Sequence, residues 1–204
     1  MRIAALMRHA EPVQPDDHVT MAQDRDRGLT ALGRGQCEAA RAWLEGLDAV
    51  CVLCSESPRA IETARLTGAP LTPQIVPDLA GLRLGQWEDE PWGAVRDRVH
   101  RMLSGEIPLP AGAESVRELA DRARRAVRDA LPPEGNVLVV AHRLTNAVLL
   151  AEPLGVEPEQ ALRIPQDHAA VSLLSLDDSR DQVLAVNVTP RDPLRLARTR
   201  VERL

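Results

Sequence analysis

Arg8-His9, Arg59 and His142 are the residues of this 204-residue chain whose types and positions suit them to chemistry. Arg8 and His9 follow the apolar run Ile3-Ala4-Ala5-Leu6-Met7, and His142 follows Val137-Leu138-Val139-Val140-Ala141. Both runs have strand length, and Pro12 blocks further pairing of the first. Open α/β sheets bind ligands at the carboxyl ends of their strands, so the two histidines are predicted to converge at one edge. Arg59 arrives from a third direction. Ser57-Pro58 opens a helix with Ser as N-cap and Pro at the first helical position, which places Arg59 beside free N–H groups that favour anions. A guanidinium offers a donor fork suited to phosphate, while an imidazole serves as nucleophile or proton carrier near neutral pH. Together these groups predict an anion pocket, most naturally for a phosphoryl group. The Arg8-His9 pair by itself fits a polar strand end equally well.

Positioning such a pocket requires alternating strands and helices, and the chain has that pattern. After the first strand and a polar loop at 12–28, Leu29-Thr30-Ala31-Leu32-Gly33 leads into a helix. Its Cys37, Ala40, Leu44 and Leu47 share one face at helical spacing. Cys51 to Leu53 is predicted as the second strand, with a short strand at Ile75-Val76-Pro77 and irregular chain from Leu79 to Trp87. Residues 91–104 read as helix, and Ile107 to Gly112 as a loop rich in Pro and Gly. Ser115 with Glu118 forms a capping box that starts a helix to about Leu131. Asn136 to Ala141 is the clearest buried strand, and a helix from about Asn146 to Leu154 follows, closed by Gly155. Ala170 to Leu176 and Gln182 to Val188 predict an antiparallel pair at one edge. The fold expected is α/β, a three-layer sandwich with a mainly parallel sheet, helices on both faces and an antiparallel edge, in a single domain over 1–204.

Composition narrows the function classes. The chain contains no Lys, Phe or Tyr, so all 25 basic residues are Arg and a single Arg means less than usual. A net charge of −5 argues against a general nucleic-acid binder. No segment is apolar for long enough to span a membrane, and the amino terminus lacks the pattern of a signal peptide, so a cytoplasmic protein is expected. Cys37, Cys51 and Cys54 are expected as reduced core thiols. The Cys51–Cys54 pair lies on one strand, where residues three apart face opposite sides. His18, His100 and His168 lack metal-ligand spacing and are expected on loops or the surface. The helix with Arg117, Arg122, Arg124, Arg125 and Arg128 also carries Glu118, Asp121 and Asp129, which predicts a solvated face. The tail with Arg191, Arg195, Arg198, Arg200 and Arg203 is either a flexible basic end or a contact in a homodimer.

In order along the chain, these motifs resemble those of the histidine phosphatase superfamily, in its phosphoglycerate mutase-like branch. Arg8-His9-Ala10 matches the Arg-His-Gly/Ala signature, with Glu11 in the acidic position that follows. Leu29 to Gln36 matches Leu-Thr-x-x-Gly-x-x-Gln, and Ser55 to Ala64 matches the Ser-rich turn ending in Arg-Ala-x-x-Thr-Ala. Gly85-Gln86-Trp87-Glu88 matches Gly-x-Trp-Glu, Gly112 to Ser115 is similar to the Gly-Glu-Ser loop, and His142 matches the second histidine. The resemblance implies that His9 is the nucleophile and forms a phosphohistidine, with Arg8, Arg59 and His142 on the phosphoryl oxygens. It implies no cofactor and no metal, and a small phosphorylated substrate contacted by Arg8, Arg59 and His142, with Glu11, Glu114 and Arg143 around it.

The pattern departs from the family at three places. Gly81 occupies the position of the glutamate that serves as general acid for the leaving group in this branch. Asp78, Glu88 and Glu114 are the candidates to replace it. Arg143 stands where the family has Gly, to narrow the pocket, contact phosphate or point away at a helix start. The loop after Pro12 lacks the further substrate residues of a phosphoglycerate mutase. The expectation is a metal-independent phosphatase of small phosphomonoesters. The alternatives are a mutase-like phosphotransferase and a phosphate-binding protein weakened in catalysis by the loss at position 81.

Overall fold

The computed structural model describes residues 2–13, 28–176 and 181–189. Six strands form one sheet in the order β3-β2-β4-β1-β5-β6: β1 Arg2–Arg8, β2 Ala49–Cys54, β3 Gln74–Ile75, β4 Asn136–Ala141, β5 Val171–Leu176 and β6 Gln182–Val188. β1 to β4 run parallel, while β5 runs antiparallel to both β1 and β6. The expected mainly parallel sheet with an antiparallel edge is the one observed. Among the described residues no helix is long and apolar enough to cross a membrane.

Alternation along the central strands divides the core between the two faces. Ala4 and Leu6 of β1 and Val137, Val139 and Ala141 of β4 pack under α4 (Val116–Ala130) and α5 (Arg143–Ala151). Ala5, Met7, Leu138 and Val140 face the other way, toward α1 (Ala31–Leu44) and α2 (Pro58–Thr67). Cys51 packs against the first cluster and Cys54 belongs to the second, as alternation on one strand requires. Burial pushes the thiols of Cys37 and Cys54 up to about 11, so both pack as small apolar groups. A third cluster, around Trp87, Val95, Val99 and Met102, fastens α3 (Trp92–Leu103) as a small appendage.

Caps set where the helices begin. Thr30 accepts from Gly33 N–H at the start of α1, Ser57 from Ala60 N–H at α2, and Ser115 with Glu118 closes both bonds of a capping box at α4. α5 starts at Arg143, three residues before the expected Asn146. His142 has extended backbone (φ −111°, ψ 166°) and caps α5 with no side-chain bond, so no capping residue marks the boundary. A further short helical turn at Pro158–Arg163 was not expected.

α4 departs from its expected solvated face in one residue. Arg117, Arg125 and Arg128 are exposed, but Arg122 is buried beside Leu119 and Ala126 on the inward stripe. Its guanidinium bonds the carboxylate of Glu114 and donates to the carbonyl oxygens of Asp78 (2.7 Å), Ala80 (3.3 Å) and Gly81 (3.1 Å). Arg122 thus holds the 78–81 segment through three of its carbonyls, with Thr145 Oγ1 donating to that of Ala80 as well, at 3.0 Å. His18 and the basic carboxyl tail lie outside the described residues.

Candidate active site

Parallel pairing in register brings the ends of β1, β4 and β2 to one edge, where Arg8 stands opposite Ala141 and Cys54 opposite Val140. The next residue on each strand is then His9, His142 and Ser55. α2 leaves β2 through the Ser55-Glu56-Ser57 turn and brings Arg59 in its first helical turn. His9, Arg59 and His142 are buried together. The His9 and His142 rings meet edge to face with centroids 5.3 Å apart.

The hydrogen bonds fix the protonation state of both imidazoles. His9 Nδ1 lies 2.9 Å from the Ala10 carbonyl oxygen, which only accepts, so Nδ1 carries the proton. His9 Nε2 accepts from Arg59 Nε at 3.2 Å and therefore presents a lone pair. His142 is the opposite tautomer. Arg59 Nη2 donates to its Nδ1 at 3.3 Å, and its Nε2–H donates to Ser55 Oγ at 2.8 Å. Arg59 thus bridges the two rings, and Thr63 anchors it from below by donating to its carbonyl (2.7 Å) while accepting from Ala10 N–H (3.0 Å).

Burial and positive charge act together on these groups. Desolvation first, then His142, Arg59 and Arg8, hold His9 well below the ordinary imidazole value. His142 is lowered by desolvation and by Arg59, Arg8 and Arg122. Arg8 is pushed down to about 10 by burial and by the charges of Arg143 and Arg59, with Asp167 opposing. Each shift disfavours a further positive charge at this edge. A dianion would relieve that pressure, which is the electrostatic signature of a site built for one.

Arg8 reveals a neighbour that the sequence reading did not bring to the site. Its Nη1 donates to the Gln166 carbonyl at 2.8 Å and its Nη2 to His168 Nε2 at 2.7 Å. The His168 ring lies 5.5 Å from that of His9. His168 does sit on a loop, as expected, but that loop enters β5, and β5 runs antiparallel to β1. The residues before β5 must therefore meet the residues after β1. His100 is exposed on α3.

The other expected substrate contacts have scaffold partners. The carboxylate of Glu11 accepts from the hydroxyl of Thr30, the α1 cap, at 2.9 Å. Glu114 binds Arg122 and accepts from Arg83 N–H at 2.9 Å. Of the other candidate acids, Asp78 is exposed beside Arg83, and Glu88 accepts from Leu84 N–H at 2.9 Å. Arg143 opens α5 with its side chain exposed and Nη2 3.5 Å from the Leu162 carbonyl, the arrangement of a helix start. Its charge still reaches Arg8. Gly81 lies against the pocket, since a Cβ added there would meet His142 Cγ at 3.6 Å.

Comparison with known proteins agrees with this geometry. The family model of the histidine phosphatase superfamily (branch 1) matches residues 4–189. An adenosylcobalamin/alpha-ribazole phosphatase of Escherichia coli K12 is 28% identical over 166 residues, covering 73% of this chain and 78% of that protein. The solved structure of a putative alpha-ribazole-5'-P phosphatase from E. coli K-12 superposes with a TM-score of 0.76 at 25% identity, covering 92% of this chain and 98% of that one. A mycobacterial glucosyl-3-phosphoglycerate phosphatase shares the fold with a TM-score of 0.75 at 22% identity, covering 93% and 100%.

Proposed function

The chain belongs to the histidine phosphatase superfamily, and from that premise we propose that it is a metal-independent phosphatase of small phosphomonoesters acting through His9. The observation that carries this reading is the tautomer of His9. With its proton held by the Ala10 carbonyl, Nε2 keeps a lone pair in a pocket lined by Arg59, His142 and Arg8.

In the first step Nε2 attacks phosphorus, a P–N bond forms, and the ester P–O bond breaks with its electron pair leaving on the alcohol oxygen. Arg59 exchanges its bonds to the two rings for phosphoryl oxygens, joined there by Arg8 and by His142, whose freed Nδ1 takes up a proton as the dianion enters, and these donors stabilise the charge that spreads over the oxygens in the transition state. Water then attacks phospho-His9, the P–N bond breaks, and phosphate leaves. Glu11 and Glu114 act in the scaffold, while Arg143 adds positive potential at the rim.

No carboxylate stands at position 81 to protonate the departing oxygen, so the rate depends steeply on how well the leaving group carries negative charge. The relatives named above are phosphatases, which favours hydrolysis over transfer to a second substrate. The test is turnover of p-nitrophenyl phosphate, whose leaving group needs little proton assistance. Wild type turns it over and His9→Ala loses at least about 10³ of that rate, the scale of losing a nucleophile. Undetectable turnover in wild type, or an active His9→Ala, overturns the proposal. Phosphate binding without turnover would identify a binding protein instead.

A further inference from the structure

We infer that His168 is a positioning residue for the phosphoryl pocket: as a neutral imidazole it accepts from Arg8 Nη2 and so sets how the guanidinium faces the anion. The inference concerns the same site and rests on the proposed reaction only for its kinetic arm.

An arginine cannot accept a hydrogen bond, so the 2.7 Å contact requires a lone pair on His168 Nε2 and the proton on Nδ1. Arg8 has a second acceptor in the Gln166 carbonyl at 2.8 Å. Two acceptors from one short loop therefore grip both terminal nitrogens of the guanidinium. The loop itself is held in place. Ala169 adopts a left-handed conformation (φ 57°) that an alanine rarely takes, and its N–H donates to the Arg8 carbonyl at 3.1 Å. From β6, Asn187 bonds Asp167 twice, accepting from its N–H (2.6 Å) and donating to its carboxylate (2.8 Å). A strained residue fixed by bonds on both sides is what a fold retains where a side chain must be placed.

The contact requires a neutral His168. Protonated His168 has two donors and no acceptor, so its bond to Arg8 is lost and two cations face each other. Among the described residues, the charged and titratable groups around the pair include His9 just beyond β1 and Asp167 next in the loop. Arg143 on α5 and Arg59 on α2 act on the Arg8 guanidinium. Burial and the neighbouring cations keep His9 and His142 neutral well below the ordinary range, so neither ring competes with His168 as a source of added charge at this edge.

The experiment compares His168→Gln, whose amide oxygen can reach the Nε2 position without titrating, with His168→Leu, which has no acceptor. Inorganic phosphate binding is measured by calorimetry near pH ~7.5, and kcat/KM for p-nitrophenyl phosphate across the acid range. At neutral pH, His168→Gln stays within about threefold of wild type, while His168→Leu loses about ten- to hundredfold in phosphate affinity and in kcat/KM, as for a bond to a charged group. As pH falls, the kcat/KM ratio of His168→Gln to wild type rises, because only wild type loses its acceptor. Substrate ionisation cancels in that ratio. A flat or falling ratio, or equal phosphate affinity in the two variants, overturns the inference. Should wild type bind phosphate without turnover, the binding order of the variants still decides the role of His168, and only the proposed hydrolysis fails.

Discussion

Gly81 stands where a side chain would lie against the His142 ring at ordinary contact distance, 3.6 Å from a built Cβ. A Cβ placed there fits without displacing the imidazole. Gly81→Glu is therefore expected to accelerate alkyl phosphates by about 10²–10⁴, the usual worth of general acid catalysis. Aryl phosphates, which leave without a proton, change little. The measurement is kcat/KM over a series of leaving groups, and an equal effect on all of them would show that position 81 is not on the proton's path. His9, Arg59 and His142 were legible in the sequence because each follows a recognisable strand or helix cap. His168 was not, because its place depends on β5 pairing antiparallel to β1, a partnership with no local signal. Glu11 and Glu114 carry the right chemistry, but the structure engages them with Thr30 and Arg122.

At the scale of elements, one helix residue supports the segment that carries Gly81. Arg122 is buried with Glu114, and its donors hold the carbonyls of Asp78, Ala80 and Gly81. Arg122→Leu removes the cation from the Glu114 carboxylate and the side-chain donor from the carbonyls of Asp78 and Gly81, so a loss of about 3–5 kcal/mol is expected in urea unfolding. A loss below about 1 kcal/mol would show that water reaches these groups. The spacing 119–122–126 on α4 does place Arg122 on the inward stripe, but Arg among Glu118, Asp121 and Asp129 looks like surface. Most other elements were readable from period and caps. Alternating runs located the strands, and Ser57-Pro58 and Ser115 with Glu118 located two helix starts. The beginning of α5 escaped because His142 caps it with backbone conformation alone.

Across the whole molecule, strand order gathers positive groups at one sheet edge and excludes water from them, and pH reports the consequence. His9 and His142 titrate lower in the folded chain than in the unfolded one. Between those values the unfolded chain binds more protons, so their contribution is complete above about pH 6.5 and is lost as pH falls toward the folded values. The melting temperature is expected to drop from pH ~7 to pH ~5.5, less steeply in a His9→Asn/His142→Asn variant and less steeply with inorganic phosphate bound. An equal slope in the variant would mean that other groups govern acid stability. The central claim is that His9 Nε2 takes the phosphoryl group, and trapping tests it most directly. Wild type mixed with p-nitrophenyl phosphate and quenched in alkali, where phosphohistidine survives, is digested and sequenced by mass spectrometry. The account predicts one phosphoryl group, on the peptide containing His9 and absent from His9→Ala. Rapid turnover with no phosphoryl group on His9, or with the group on another residue, would contradict it.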